Sequence, residues 1–172
     1  MNFSSGDGTG TAFHVTLPFA IDPTPTAVAD NTADSIDLTG MQILLAEDNE
    51  LNMEIARFIL ENAGATVIGA EDGKSAVNAF LSSEVGAIDA ILMDVMMPVA
   101  DGMEATKTIR ESGRADSLGV PVVAMTANAF PDDVKKVLDA GMNAHHPKPL
   151  DSQKLVRLLA GLIEKRNPDN KK

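Results

Sequence analysis

The pattern of this chain predicts a doubly wound α/β fold on a five-stranded parallel sheet, and three observations carry that prediction. From Met41 onward, short apolar runs alternate five times with stretches of helical spacing. The runs Gln42-Ile43-Leu44-Leu45-Ala46 and Ile91-Leu92-Met93 each stop abruptly on acid, Glu47-Asp48 and Asp94. Gly64, Gly141 and Pro98 stand where a helix or strand has to end.

The elements follow in order. Strand one, Gln42 to Ala46, is followed by a helix from Glu50 to Ala63, in which Leu51, Ile55, Phe58, Ile59 and Asn62 are spaced to make one face. Thr66 to Ala70 is strand two and Lys74 to Leu81 the second helix. Ala90 to Met93 is strand three, and Gly102 to Glu111 the third helix, with Asp101 available as its N-cap. Val120 to Met125 is strand four, and Pro131 to Ala140 a fourth helix opened by proline and closed by Gly141. A short strand five around Ala144-His145 leads to a last helix from Asp151 to about Lys165. Right-handed crossovers each need a helix, so five such pairs imply a sheet covered on both faces. The common order for five strands is 2-1-3-4-5, with ligands bound at the carboxyl edge between strands one and three.

Composition excludes several functions. With 14 Lys+Arg against 25 Asp+Glu, the net charge is -11, which disfavours nucleic-acid and anionic-membrane partners. No cysteine is present, so thiolate chemistry and disulfides are excluded. No apolar run reaches the roughly 20 residues of a membrane span, and the reading is of a soluble, cytoplasmic chain. Residues 1–39 hold five Asp and no Lys or Arg. Within them, Gly6-Asp7-Gly8-Thr9-Gly10 precedes one expected strand whose alternation is Phe13, Val15, Leu17, stopped by Pro18. The glycine run lacks the Lys-Ser/Thr ending of a phosphate-cradling loop and leads into a strand rather than a helix. Residues 20–39 show no periodic apolar face and read as a linker, 40–166 as the folded domain, and 167–172 as a tail.

The predicted order brings Glu47-Asp48, Asp94, Thr126 and Lys148 to one edge from strands one, three, four and five. Singly, each has an ordinary explanation: an acid pair capping a helix, a turn acid, a strand-end hydroxyl, a solvated lysine. Their convergence is what points to chemistry. Three acids in one crevice repel one another unless a cation sits among them.

Residues 41 to about 165 resemble a response-regulator receiver domain of two-component signalling, with its flavodoxin-like fold. The likeness rests on the acid pair Glu47-Asp48, on Asp94, on Thr126 after strand four, on Lys148-Pro149, and on Met97-Pro98-Val99-Ala100-Asp101-Gly102-Met103-Glu104. It implies that Asp94 accepts a phosphoryl group, with Thr126 and Lys148 holding the phosphoryl oxygens. It implies a Mg²⁺ site of Asp48 and Asp94, with Glu47 acting mainly through water and the Met96 carbonyl as a further ligand. Thr126 and His145 would form the switch, although His145 stands where the family often has Tyr or Phe. Asn128 and Met96 flank the site and are expected to affect how long the acyl phosphate lasts. Met97 reads as core filler.

Gly8, Gly10, Thr11, Phe13, Leu17 and Pro18 resemble the closing segment of a histidine-kinase ATP-binding domain. That likeness makes residues 1–19 a kinase remnant without its own sheet, and the parent a hybrid sensor kinase. The partners implied are a kinase phosphohistidine domain and a histidine phosphotransfer protein, with a transient homodimer through helix four, strand five and helix five. No ATP-dependent kinase activity is expected of this chain. Two rivals stand beside this reading. A haloacid-dehalogenase-type phosphatase would need an acid two residues after Asp94, where Met96 stands; the other is a receiver-like interaction module that is never phosphorylated.

Overall fold

A computed structural model describes residues 2–6, 10–14, 16, 36–98, 100–127 and 130–166. Gly8, Val15, Leu17, Pro18, Asn128, most of the expected linker and the 167–172 tail, all named above, lie outside the described residues. The chain divides into two units, Met1–Asp34 and Ser35–Lys172.

In the first unit, strand β1 (Asn2–Gly6) pairs antiparallel with β2 (Gly10–His14), Phe3 opposite Phe13. The expected lone strand is therefore corrected to a two-stranded ribbon. Asn2-Phe3-Ser4-Ser5-Gly6 lacks the apolar alternation that would have announced the first of its strands.

The second unit is the predicted sheet. Its strands are β3 (Gln42–Ala46), β4 (Thr66–Ala70), β5 (Ala90–Asp94), β6 (Val122–Thr126) and β7 (Ala144–Pro147), and its helices α1 (Glu50–Asn62), α2 (Gly73–Ser82), α3 (Gly102–Glu111), α4 (Pro131–Asp139) and α5 (Ser152–Arg166). The order is β4-β3-β5-β6-β7, all pairs parallel, which is 2-1-3-4-5 counted from β3. Strand alternation sends Leu44, Ile91, Met93, Val122 and Ala124 into one core with Phe80 of α2, Ile109 of α3 and Val137 of α4. Ile43, Leu45, Leu92, Val123 and Met125 face the other core, with Ala56 and Leu60 of α1 and Leu155, Leu159 and Ile163 of α5. Both faces are thus covered, as a parallel sheet requires.

One ordinary explanation is removed and two local expectations are corrected. The acid pair does not cap α1: Asn49 does, its side chain accepting from the Asn52 N–H at 3.0 Å. This leaves Glu47 and Asp48 free for other partners. The buried stripe of α1 is Ala56 and Leu60, not the face expected, for Leu51, Ile55 and Phe58 are 69%, 46% and 71% exposed. Small Ala56 lets the helix lie close to the sheet, and Ile59 alone of the expected set packs against that core. Finally, Leu38 of the expected linker is buried, and its N–H donates to the Ala63 carbonyl at 2.7 Å.

The outer edge of β4 is guarded. Arg57 of α1 donates to the Val67 carbonyl at 3.2 Å, and a Cβ at Gly69 would run into the same guanidinium. Among the described residues no helix is long and apolar enough to cross a membrane.

Candidate functional site

The site forms where three buried strands stop. Glu47 follows β3, held by its N–H to the Ala70 carbonyl at 3.0 Å; Asp94 ends β5; Thr126 ends β6. Lys148 follows β7, and its N–H donates to the Thr126 carbonyl at 2.8 Å, so the hydroxyl and the ammonium are carried on one backbone tie. The close start of α3 depends on Gly102. A Cβ there would strike the Asp94 carbonyl and the Met93 side chain, and the Gly102 N–H donates to the Val95 carbonyl at 3.1 Å. Asp101 caps that helix by accepting from the Glu104 N–H at 2.7 Å, as the sequence predicts.

Lys148 Nζ donates to Glu47 Oε2 at 2.6 Å and to Asp94 Oδ2 at 2.7 Å. Asp94 Oδ1 accepts from the Met96 N–H at 3.1 Å, and Glu47 Oε1 from Asn52 Nδ2 at 2.9 Å. Glu47 and Asp94 are 2% and 5% exposed, whereas Asp48 is open to solvent. Burial by itself pulls the Lys148 pKa down. The hydrogen bonds and charges of Asp94 and Glu47 together outweigh burial, so its pKa is raised above the ordinary 10.5. Lys148 is therefore an ammonium at neutral pH.

One carboxylate oxygen from each of Glu47, Asp48 and Asp94 lies within 4.8 Å of the others. Three carboxylates facing one ammonium leave a net negative crevice lined by hard oxygen donors. This donor chemistry fits a small divalent cation of the Mg²⁺ kind. Thr126 Oγ1 is buried and, among the described residues, has no hydrogen-bond partner. A hydroxyl in that condition has a donor to offer any anion placed beside Asp94.

Of the residues singled out from sequence, Glu47, Asp48, Asp94 and Lys148 meet directly, and Thr126 is tied to Lys148 through the backbone. Met96 joins through its N–H while its side chain is exposed. Met97 is buried. His145 is half-buried on β7 opposite Ala124, beside a cavity it lines with Leu150 and Lys154. Sequence reading missed Asn52, Gly102 as a packing glycine, and the cis Lys148–Pro149 peptide. Asn52 offered one signal, lying five residues past Glu47 on the first turn of a helix that begins beside the acids.

Comparison with known proteins agrees with this geometry. Residues 43–160 match the response regulator receiver domain. A probable histidine kinase 2 of Oryza sativa subsp. indica is 35% identical over 147 residues, covering 79% of this chain and 14% of its own length. The sensor protein GacS of Pseudomonas syringae pv. syringae is 34% identical over 137 residues, covering 78% and 15%. The chain thus spans about a seventh of these relatives. Among solved structures, the receiver domain of sensor histidine kinase PA1611 from Pseudomonas aeruginosa PAO1, with a magnesium ion coordinated in its active-site cleft, is 38% identical at a TM-score of 0.65. The match covers 73% of this chain and 98% of that one. The receiver domain of Ssk1 from Saccharomyces cerevisiae, crystallised with the phosphotransfer protein Ypd1, is 28% identical at a TM-score of 0.67, covering 76% and 94%. With the sheet order, the acid cluster and a family match over more than half its length, this chain belongs to the response regulator receiver domain family.

Proposed function

We propose that the chain is the phosphoacceptor domain of a phosphorelay, taking a phosphoryl group from phosphohistidine onto Asp94. The observation that carries the reading is the Glu47–Asp48–Asp94 cluster, with Lys148 bridging Glu47 and Asp94. A carboxylate and a phosphoryl group are both anionic, so the reaction needs charge neutralisation and in-line placement more than an acid or base. An Asp94 oxygen attacks phosphorus, the P–N bond to imidazole breaks, and the departing nitrogen keeps the electron pair and takes up a proton. Lys148 holds one phosphoryl oxygen and the Thr126 hydroxyl donates to another.

Asp48, Asp94 and the Met96 carbonyl would hold Mg²⁺, with Glu47 acting mainly through water. Bound there, the ion neutralises the phosphoryl charge. The magnesium ion in the cleft of the PA1611 receiver supports a cation at this place. Once the phosphoryl group is on Asp94, its contacts draw Thr126 inward and make room for His145. That shifts the population of the α4–β7–α5 surface, through which a transient homodimer would also form.

The partners are a kinase phosphohistidine domain and a histidine phosphotransfer protein, as the Ypd1–Ssk1 complex supports by likeness. The exposed apolar side chains Leu51, Ile55 and Phe58 of α1, beginning three residues past Asp48, suit such docking. Residues 1–19 would be the end of a kinase ATP-binding domain, 20–39 a linker, 40–166 the receiver with Leu38 tucked under it, and 167–172 a tail. The parent would be a cytoplasm-facing hybrid sensor kinase.

Incubation with a small phosphodonor and Mg²⁺, read by intact mass, tests the reading. A single phosphoryl adduct on the wild type, absent from Asp94→Asn, supports it. Turnover without adduct would indicate the phosphatase, and neither adduct nor turnover the interaction module.

A further inference from the structure

We infer that Asn52 is a positioning residue of the cation site, acting through Glu47; the inference rests on the Mg²⁺ reading above. Glu47 is buried with both oxygens engaged, Oε1 by Asn52 Nδ2 at 2.9 Å and Oε2 by Lys148 Nζ at 2.6 Å. The two partners differ in kind. Lys148 is shared with Asp94 and is the group any incoming cation must compete with. Asn52 is neutral and has no such rival.

Its root is fixed as well. Asn52 is the third residue of α1, and its N–H is held by the Asn49 cap at 3.0 Å, so the amide projects back past the cap toward the acid pair. A helix cap and a site carboxylate are thereby joined through one residue. With Oε1 held by Asn52, Glu47 turns Oε2 toward Lys148, the same ammonium that Asp94 Oδ2 contacts. That hydrogen bond opposes rotation of the carboxylate toward chelation through both oxygens, which favours water between Glu47 and the ion. Partners that orient a ligand in this way typically carry about 10- to 100-fold in metal affinity.

The test is a double-mutant cycle on the full chain, read by Mg²⁺ titration with calorimetry and by thermal midpoint. Asn52→Ala and the size-matched Asn52→Leu are made in the wild type and in Glu47→Gln. The expected result is Mg²⁺ affinity about tenfold weaker for either variant in the wild-type background, and little or no further loss in the Glu47→Gln background. Phosphorylation by a small donor should then need more Mg²⁺ to reach half its maximal rate, with the maximal rate kept. A lowered thermal midpoint with unchanged Mg²⁺ affinity would overturn the inference in favour of a purely structural amide. An equal loss of affinity in both backgrounds would overturn it too, because Asn52 would then not act through Glu47. Failure of the wild type itself to take up Mg²⁺ at millimolar concentration would overturn the underlying cation reading together with this one.

Discussion

The two edges of the sheet use their cations in opposite ways. At the amino edge, Arg114 donates to the carbonyls of Phe80, Ser83 and Glu84, pairs with Asp116 at 2.7 Å, and lies 4.4 Å over the Phe80 ring. Arg110 donates to the carbonyls of Ser117, Val120 and Gly141, and Arg166 to those of Ile88 and Asp89. These guanidinium forks satisfy backbone that helix ends and loops leave unpaired. At the carboxyl edge, the Lys148 ammonium is held, among the described residues, by the side-chain carboxylates of Glu47 and Asp94. Planar arginine against fixed carbonyls makes a static lattice; a compact ammonium against carboxylates makes one that an ion or phosphoryl group can displace. The fold places its rigidity and its exchangeable charge at opposite ends of the same strands.

The contrast can be broken first at the rigid end. Arg114→Ala should cost about 3–5 kcal/mol, because it strands buried Asp116 and several carbonyls at once. Arg114→Lys should recover only part, lacking the fork. Urea denaturation measures both, and Mg²⁺ affinity should stay unchanged if the edges are independent. Gly102→Ala comes next, at about 1–3 kcal/mol, since its methyl meets the Asp94 carbonyl; here stability and phosphorylation should fall together.

Acid sharpens the comparison further. Burial alone would raise the Asp116 pKa, but Arg114 and the Gly86 N–H more than reverse this and hold it below the ordinary 3.8. The folded-state value is the lower one, so this contribution is present at neutral pH and is lost as pH falls below 3.8. The raised Lys148 value has the opposite sign: its contribution persists until pH climbs past 10.5. Thermal midpoints of Asp116→Asn and Lys148→Met across pH should converge on the wild type at the acid and alkaline ends respectively. The smallest stability effect is expected at Phe58→Ser, within about 0.5 kcal/mol because the ring is 71% exposed, whereas phosphotransfer from a histidine-bearing partner should slow.

These edges were not equally legible in the sequence. Asp94 and Thr126 could be read because each ends an apolar run, and Lys148 because it stands before Pro149 just past a short fifth strand; topology then gathers them. Arg114 could not: its partners at Phe80 and Ser83 stand more than 30 residues away, and nothing local marks an arginine destined for burial. Helix α1 misled for another reason. Its large apolar residues share a face by spacing, and that spacing does not say which face meets the sheet. Ala56 does, and a small residue carries little weight in a reading that looks for large ones.

Arg57 has a consequence away from phosphate chemistry. An outermost strand with free carbonyls invites another chain to extend the sheet, and here a guanidinium occupies the Val67 oxygen while leaning across Gly69. A second copy arriving along β4 would first have to dislodge that side chain, which keeps one protomer from templating the next.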